Sequence, residues 1–332
     1  MSPRPRLFIR VGGALLAGLL AAPGPAAGQT PADLLGAVVG IKTFINPDAR
    51  TAETLGRTRE GSGIVIDEDG LVLTIGYLMV EAHAAELVTQ AGRTVPASVV
   101  GYDFDSGFGL LRAVEPLRLK PIPLGRSGDV KENDPVLVAS AGGADAVAPA
   151  RVVAKREFAG NWEYLLEEAL FTAPPHPAWS GAALIGRDGR LVGVGSLIVG
   201  DATGKGENVP GNMFVPIDRL PPILADLIAD GRPSGPPRPW LGVTPVEAHG
   251  ALVVGRVTPG GPAEAAGLQR GDVIAGVAGT PVRTMAELYR KVWARGPAGT
   301  TVPVDILQGG ALRSVDIKSM NRLDHLKLKS TF

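Results

Sequence analysis

Short apolar runs broken by tight turns recur from Ala37 to Ile217, and that cadence leaves few folds open. "AVVGIKTFI", "GSGIVIDEDGLVLTIGYLMV", "ELVTQAGRTVPASVVGYD" and "GFGLLRAVE" alternate β-branched residues with turn clusters. "DPVLVASAGG", "ARVVAKREF", "WEYLLEEALF" and "GAALIGRDGRLVGVGSLIV" continue the series. β-Branched side chains are stiff at χ1 and suit a pleated surface better than a helix. "DEDG", "QAGR" and "GRDGR" read as hairpin connections. The 45 glycines and 29 prolines fit many strands joined by tight turns, which close into sandwiches or barrels. A helix follows only at "PPILADLIADG", where prolines open it and Gly231 stops it.

The predicted organisation is an export signal over 1–28, a first domain over 35–230, a linker over 231–239, a second domain over 240–320 and a tail over 321–332. "GRPSGPPRPW" lacks apolar periodicity and acts as a semi-rigid spacer. Beyond it, "LGVTPV", "ALVVGRVTP" and "GDVIAGVAG" read as strands, and "TVPVDILQGGALRSVDIK" as a hairpin turning at Gly309 and Gly310. "PAEAAG" is a short helix stopped by Gly267, and "TMAELYRKVWARG" a second helix with a capping box from Thr284 to Glu287. The tail "NRLDHLKLKSTF" is mixed in charge and expected to fray.

At the N-terminus, Arg4, Arg6 and Arg10 precede an apolar run from Val11 to Ala22, then small residues at Ala26 and Gly28. The run is too short for a bilayer core of about 30 Å, so it reads as a cleavable secretory signal and places the product in the periplasm. The alternative is an uncleaved anchor that tethers the chain to the membrane. The absence of cysteine excludes disulfides, so the core alone holds the exported fold. A formal net charge of zero and the lack of a basic run argue against nucleic acid as a partner. Nothing in the sequence calls for a cofactor or a metal.

One serine raises a chemical question. In "TAPPHPAWSGAALIGRDGRLVGVGSLI", Ser180 sits between small residues ahead of an apolar hairpin. A serine hydroxyl is a weak nucleophile until a base takes its proton. The surroundings of Ser180 resemble the nucleophile stretch of the HtrA/Deg family, "N-S-G-G-P-L-x-x-x-x-G-x-V-I-G". "GSGIVIDEDGLVLT", "VVGYDFDSGFGLLR" and "PIPLGRSGDVKENDPVLVAS" resemble other stretches of the same family in the same order. "WLGV", "VTPGGPAEAAGLQRGDVIAGVAGTPV" and "TMAEL" resemble the PDZ domain that such proteins carry. The resemblance covers roughly residues 35 to 320. It implies a mainly β chain: a trypsin-like double β-barrel with its site in the cleft, followed by a PDZ domain of five to six strands and two helices.

Carried over residue by residue, the implied triad is degenerate. The histidine of "L-T-N-x-H-V-V" falls on Tyr77 in "LTIGYLMV", and the aspartate of "D-x-x-x-D-L-A" falls on Gly107 in "DFDSGFG". Only Ser180 matches. A phenol with a reference pKa of about 10 is ionised in about one molecule per thousand at pH 7. Loss of the base in such a triad costs around a million-fold in turnover. Asp103 and Asp105 sit on other steps of the turn. His83 and His176 read as surface histidines, although either is an alternative base, and His249 and His325 belong to the second domain and the tail. The resemblance places an oxyanion-hole amide at Ala178. If the hole needs positive φ there, alanine costs about 1–2 kcal/mol, and a lost donor costs about 3–4 kcal/mol in the transition state.

The resemblance leaves the second domain intact. A PDZ groove captures a peptide C-terminus by β-augmentation and holds its carboxylate on backbone N–H groups. Those amides fall on Leu241, Gly242 and Val243, with Met285 and Tyr289 of the following helix as candidates for the other wall. Leu288 and Val292 share that helix face and belong to the core. The expected function is that of a pseudoprotease binding unfolded polypeptides or protein C-termini. Two alternatives stand beside it: a serine endopeptidase with a non-standard base, and a scaffold subunit. The resemblance implies assembly as a homo-trimer or with HtrA homologues.

Overall fold

The computed structural model describes residues 30–328, so the expected export signal over 1–28 lies outside the described residues. Strands β1 (Val38–Ile45), β2 (Thr58–Val65), β3 (Leu71–Ile75), β4 (Ala82–Val88), β5 (Thr94–Tyr102) and β6 (Phe108–Ala113) close into one barrel. β7 (Pro135–Ala139), β8 (Val147–Gly160), β9 (Tyr164–Ala173), β10 (Ala183–Ile185), β11 (Leu191–Val199) and β12 (Gly211–Pro216) close into a second. The first ring runs β1-β2-β3-β6-β5-β4, and the second repeats that order as β7-β8-β9-β12-β11-β10. Closure removes sheet edges from both. The predicted turns at "DEDG", "QAGR" and "GRDGR" join β2 to β3, β4 to β5 and β10 to β11.

The second domain is a sheet of β13 (Val243–Ala248), β14 (Ala251–Val257), β15 (Val273–Val277), β16 (Thr280–Pro281), β17 (Thr301–Gln308) and β18 (Ala311–Lys318). The six described helices are α1 (Pro31–Gly36), α2 (Ala52–Leu55), α3 (Pro221–Asp230), α4 (Pro262–Ala265), α5 (Met285–Trp293) and α6 (Arg322–His325). Two of them, α4 and α5, pack on this sheet, so the expected count of strands and helices holds. Gly231 ends α3 at φ 72°, the left-handed conformation that suits glycine. The capping box of α5 is shifted: Thr284 accepts from Glu287 N, but the Glu287 carboxylate accepts from Arg283 N. No described helix is long and apolar enough to cross a membrane.

The tail does not fray where the structure describes it. Arg322 lies 3.8 Å over the Phe104 ring and donates to the Trp162 carbonyl at 2.7 Å. His325 is buried 4.9 Å from the Trp240 ring, and Lys327 N donates to Glu81 Oε1 at 2.6 Å. Arg322, His325 and the Lys327 backbone each meet an aromatic face or a group on the first domain, which a count of the tail's charges does not reveal.

Loop 173–182 between β9 and β10 is held against β2. Ser62 N donates to the Ser180 carbonyl at 2.8 Å, and Gly181 N to the Gly195 carbonyl at 2.9 Å. Gly181 has φ 72°, and a Cβ there would sit 1.9 Å from the Ser62 carbonyl oxygen. Gly181→Ala is therefore expected to destabilise the chain by more than about 2 kcal/mol, combining left-handed strain with a backbone clash. The midpoint of urea unfolding measures it.

Candidate functional site

Tyr77 lies on the 3-10 turn Gly76–Leu78 that follows β3, which carries its ring across to the serine loop. Its Oη is 2.8 Å from Ser180 Oγ and 3.0 Å from the Ser196 carbonyl oxygen. The phenol has one proton and the carbonyl can only accept. That proton goes to Ser196, and Ser180 donates to Tyr77 Oη. Burial pushes the Tyr77 pKa up to about 12, against hydrogen bonding from Ser180 and Trp179. At pH 7 only about one molecule in a hundred thousand would be phenolate. Ser180 thus meets a neutral acceptor.

Gly107 sits at φ 82°, and a Cβ there would lie 3.2 Å from Tyr164 Oη. Tyr164 crowds that position and donates to the Ser106 carbonyl at 2.6 Å. The nearby carboxylates are used elsewhere. Asp103 accepts from the amides of Asp105 and Ser106, and Asp105 pairs with Arg238 at 3.0 Å. Ala178 N donates back to His176 Nδ1 at 3.1 Å, so in this conformation its amide serves the loop.

His176 corrects the expectation of a surface residue: it is 6% exposed. Asn212 holds its backbone from both sides, accepting its N–H at 2.6 Å and donating to its carbonyl at 3.2 Å. Burial lowers its pKa, opposed by bonds to Ala146 and Ala178, so the ring is a neutral brace for the loop. His83 is an exposed residue of β4, and His249 lies in the exposed turn between β13 and β14. A cavity of about 510 Å³ opens beside Tyr77, Trp179 and Ser196. Trp240, Arg256, Arg322 and His325 also line it, so the second domain and the tail contribute to the cleft.

The amides of Leu241, Gly242 and Val243 converge on a carboxylate, and it belongs to the chain itself. Glu163, at the turn between β8 and β9, accepts from Leu241 N at 2.9 Å through Oε2. Its Oε1 accepts from Gly242 N at 2.7 Å and Val243 N at 3.0 Å. Tyr289 is not an open groove wall: it is 1% exposed and its hydroxyl donates to the Gly160 carbonyl at 2.7 Å. Met285 is half-buried against the second domain's core, and its N–H goes to Glu247 at 2.8 Å. Glu163 escaped the sequence reading because a glutamate in "GNWEYL" looks like any exposed hairpin residue.

The trypsin-like peptidase domain family matches residues 61–194, and the PDZ domain family matches residues 239–319. The serine protease PepD of Mycobacterium tuberculosis is 30% identical over 319 residues, covering 88% of this chain and 67% of PepD. The chain belongs to the HtrA/Deg family. The periplasmic pH-dependent serine endoprotease DegQ of Escherichia coli is 27% identical over 275 residues, 77% of this HtrA/Deg chain and 58% of DegQ. The solved HtrA-type protease AlgW with decapeptide superposes with a TM-score of 0.52 at 20% identity, covering 89% of this chain and 99% of AlgW. That last likeness is one of fold. Two barrels followed by a PDZ domain are therefore the family architecture.

Burial pushes the Glu163 pKa up to about 7, opposed by the three amides and by Arg322; the Tyr289 phenol also faces it. A carboxyl whose pKa is raised by folding binds its proton more tightly in the folded chain. The stability it contributes is full below about 4.5 and is lost as pH rises through about 7. The wild type is expected to lose stability relative to Glu163→Gln across that interval, by no more than about 1.4 kcal/mol per pH unit. Paired denaturation midpoints at pH 5, 6 and 7 give the slope.

Proposed function

We propose that this HtrA/Deg chain is an exported pseudoprotease, binding unfolded polypeptides or protein C-termini in the periplasm without hydrolysing them. The carrying observation is the proton count at Ser180, whose Oγ faces a Tyr77 phenol already committed to the Ser196 carbonyl. A general base must take the serine proton as the hydroxyl attacks. A protonated phenol oxygen is a very weak acceptor for it. Gly107 offers no side chain to orient a base, and the Ala178 amide is turned to His176. The PDZ match and the decapeptide held by the AlgW relative support peptide binding. The name of periplasmic DegQ supports the compartment.

The enzyme reading rests on a different observation. PepD and DegQ are both named as serine proteases, and Ser180 is retained. Relatives' names favour that reading, whereas the chemistry at Tyr77 favours the inert one.

The two readings separate in one assay. The purified mature chain and Ser180→Ala are incubated with an unfolded protein from pH 7 to 10. The pseudoprotease reading expects no cleavage that depends on Ser180 at any pH, with aggregation of the substrate suppressed equally by both proteins. A Tyr77 phenolate acting as base would instead give Ser180-dependent cleavage rising about tenfold per pH unit, since the ionised fraction grows at that rate below its pKa. Such a profile would sink the inert reading.

A further inference from the structure

Three consecutive amides converging on one buried carboxylate make a built anion site, and its occupant is part of the same molecule. Backbone N–H groups that hold a peptide's C-terminal carboxylate recognise two oxygens and a negative charge. Glu163 presents both oxygens to Leu241, Gly242 and Val243 at 2.7–3.0 Å and is 4% exposed. A second carboxylate cannot use these donors while Glu163 holds them.

We propose that Glu163 is the resident ligand of this PDZ carboxylate loop, so that a polypeptide with a free C-terminal carboxylate binds only by displacing it. The proposal rests on the peptide-binding reading of the groove and adds what the incoming chain must compete with.

The hairpin that carries Glu163 is built into the second domain. Glu163 itself adopts φ 60°, a left-handed conformation that is uncommon for a residue with a side chain and here aims the carboxylate. Leu165, two residues on, is 4% exposed and packs within the apolar cluster of the second domain. On the other side of the tip, the Gly160 carbonyl accepts from Tyr289, and the Trp162 carbonyl accepts from Arg322. Arg290 of α5 bonds the carboxylates of Glu157 and Glu167. Of these contacts, the exposed Arg290 pairs contribute least. The apolar insertion and the buried hydrogen bonds hold the tip.

The blockade is confined to the terminus-binding end. β13 remains the outer strand of its sheet, paired only with β14 among the described residues, so its free edge could still take an added strand. A peptide would therefore find the strand edge open and the carboxylate loop filled. A ligand that binds only an open minority state has its affinity reduced by the open fraction, so a loop free in roughly 1–10% of molecules would weaken binding about 10- to 100-fold. A tethered competitor achieves this at any protein concentration, because its local concentration is set by the chain.

The test uses the full mature chain and an octapeptide with an apolar last residue, a fluorescent N-terminus and a free carboxylate. Anisotropy titrations compare the wild type, Glu163→Ala, Glu163→Gln and Tyr289→Phe, the last removing the hydroxyl that bonds Gly160 and faces Glu163. Amide hydrogen exchange at Leu241–Val243 is followed in parallel without peptide. The expected result is at least tenfold tighter binding by Glu163→Ala than by the wild type, with a smaller gain for Tyr289→Phe. The C-terminally amidated peptide should show no such gain. Exchange at the three amides should be at least tenfold faster in Glu163→Ala. Equal affinity in the wild type and all variants overturns the proposal and leaves the peptide-binding reading standing. An equal gain for the amidated peptide also overturns it. If no variant binds the peptide while exchange still accelerates, Glu163 stands as the loop's ligand and the peptide-binding reading falls.

Discussion

The docking of one hairpin tip fixes how the two domains meet. Glu163 brings a carboxylate into a pocket otherwise walled by Tyr289, Trp240 and Arg322, where an ionised group without donors would be expensive. Three amides offset part of that cost, and burial still leaves the Glu163 pKa raised to about 7. Leu165 adds apolar burial beside it, and the tail returns through Arg322, His325 and Lys327 to grip the first domain. Buried polar contacts of this kind are unforgiving: fully paired they fix a single arrangement, and removing one partner leaves the others exposed to an unmet desolvation cost. The cleft at Tyr77 is shaped by this arrangement, because Trp240, Arg322 and His325 are among the residues that line it.

In the same cleft, three groups that acyl transfer would use are engaged in other ways, and the proposed inert reading rests on them. The base position holds a phenol whose proton is already placed. The orienting position has backbone at positive φ, with the Tyr164 hydroxyl 3.2 Å from where a Cβ would sit. The Ala178 amide serves His176. These are distinct physical obstacles at distinct elements. A change that supplied an imidazole at position 77 would still leave it without an orienting partner. Such effects on one site are not additive, yet they share a sign.

Much of this architecture was legible in the sequence because it is written locally. The strand cadence and its turns depend on neighbours within a few residues, and every strand but β12 and the short β16 was read in order, while closure into two barrels came from the family resemblance. Helix α1 was missed although "TPAD" carries its signal: Thr30 and Asp33 cap each other, and Pro31 opens the first turn. Other features had no local signal. His176 is buried because Asn212, 36 residues away, brackets its backbone. The tail is ordered because Asn46 and Glu81 receive Lys327 across the whole chain. Glu163 finds its amides 78 to 80 residues further on. Contacts that distant in sequence emerge only when the fold has set the distances.

The two sites meet at one cavity. Trp240, Arg322 and His325 line it together with Tyr77, and each is held by a ring contact or a hydrogen bond. Tyr77 bridges Ser180 to Ser196 and so ties the serine loop to β11 across the floor of the cavity. An imidazole accepting from the serine at that place would leave the Ser196 carbonyl without this donor. Tyr77 therefore has a structural role in this arrangement that does not depend on hydrolysis.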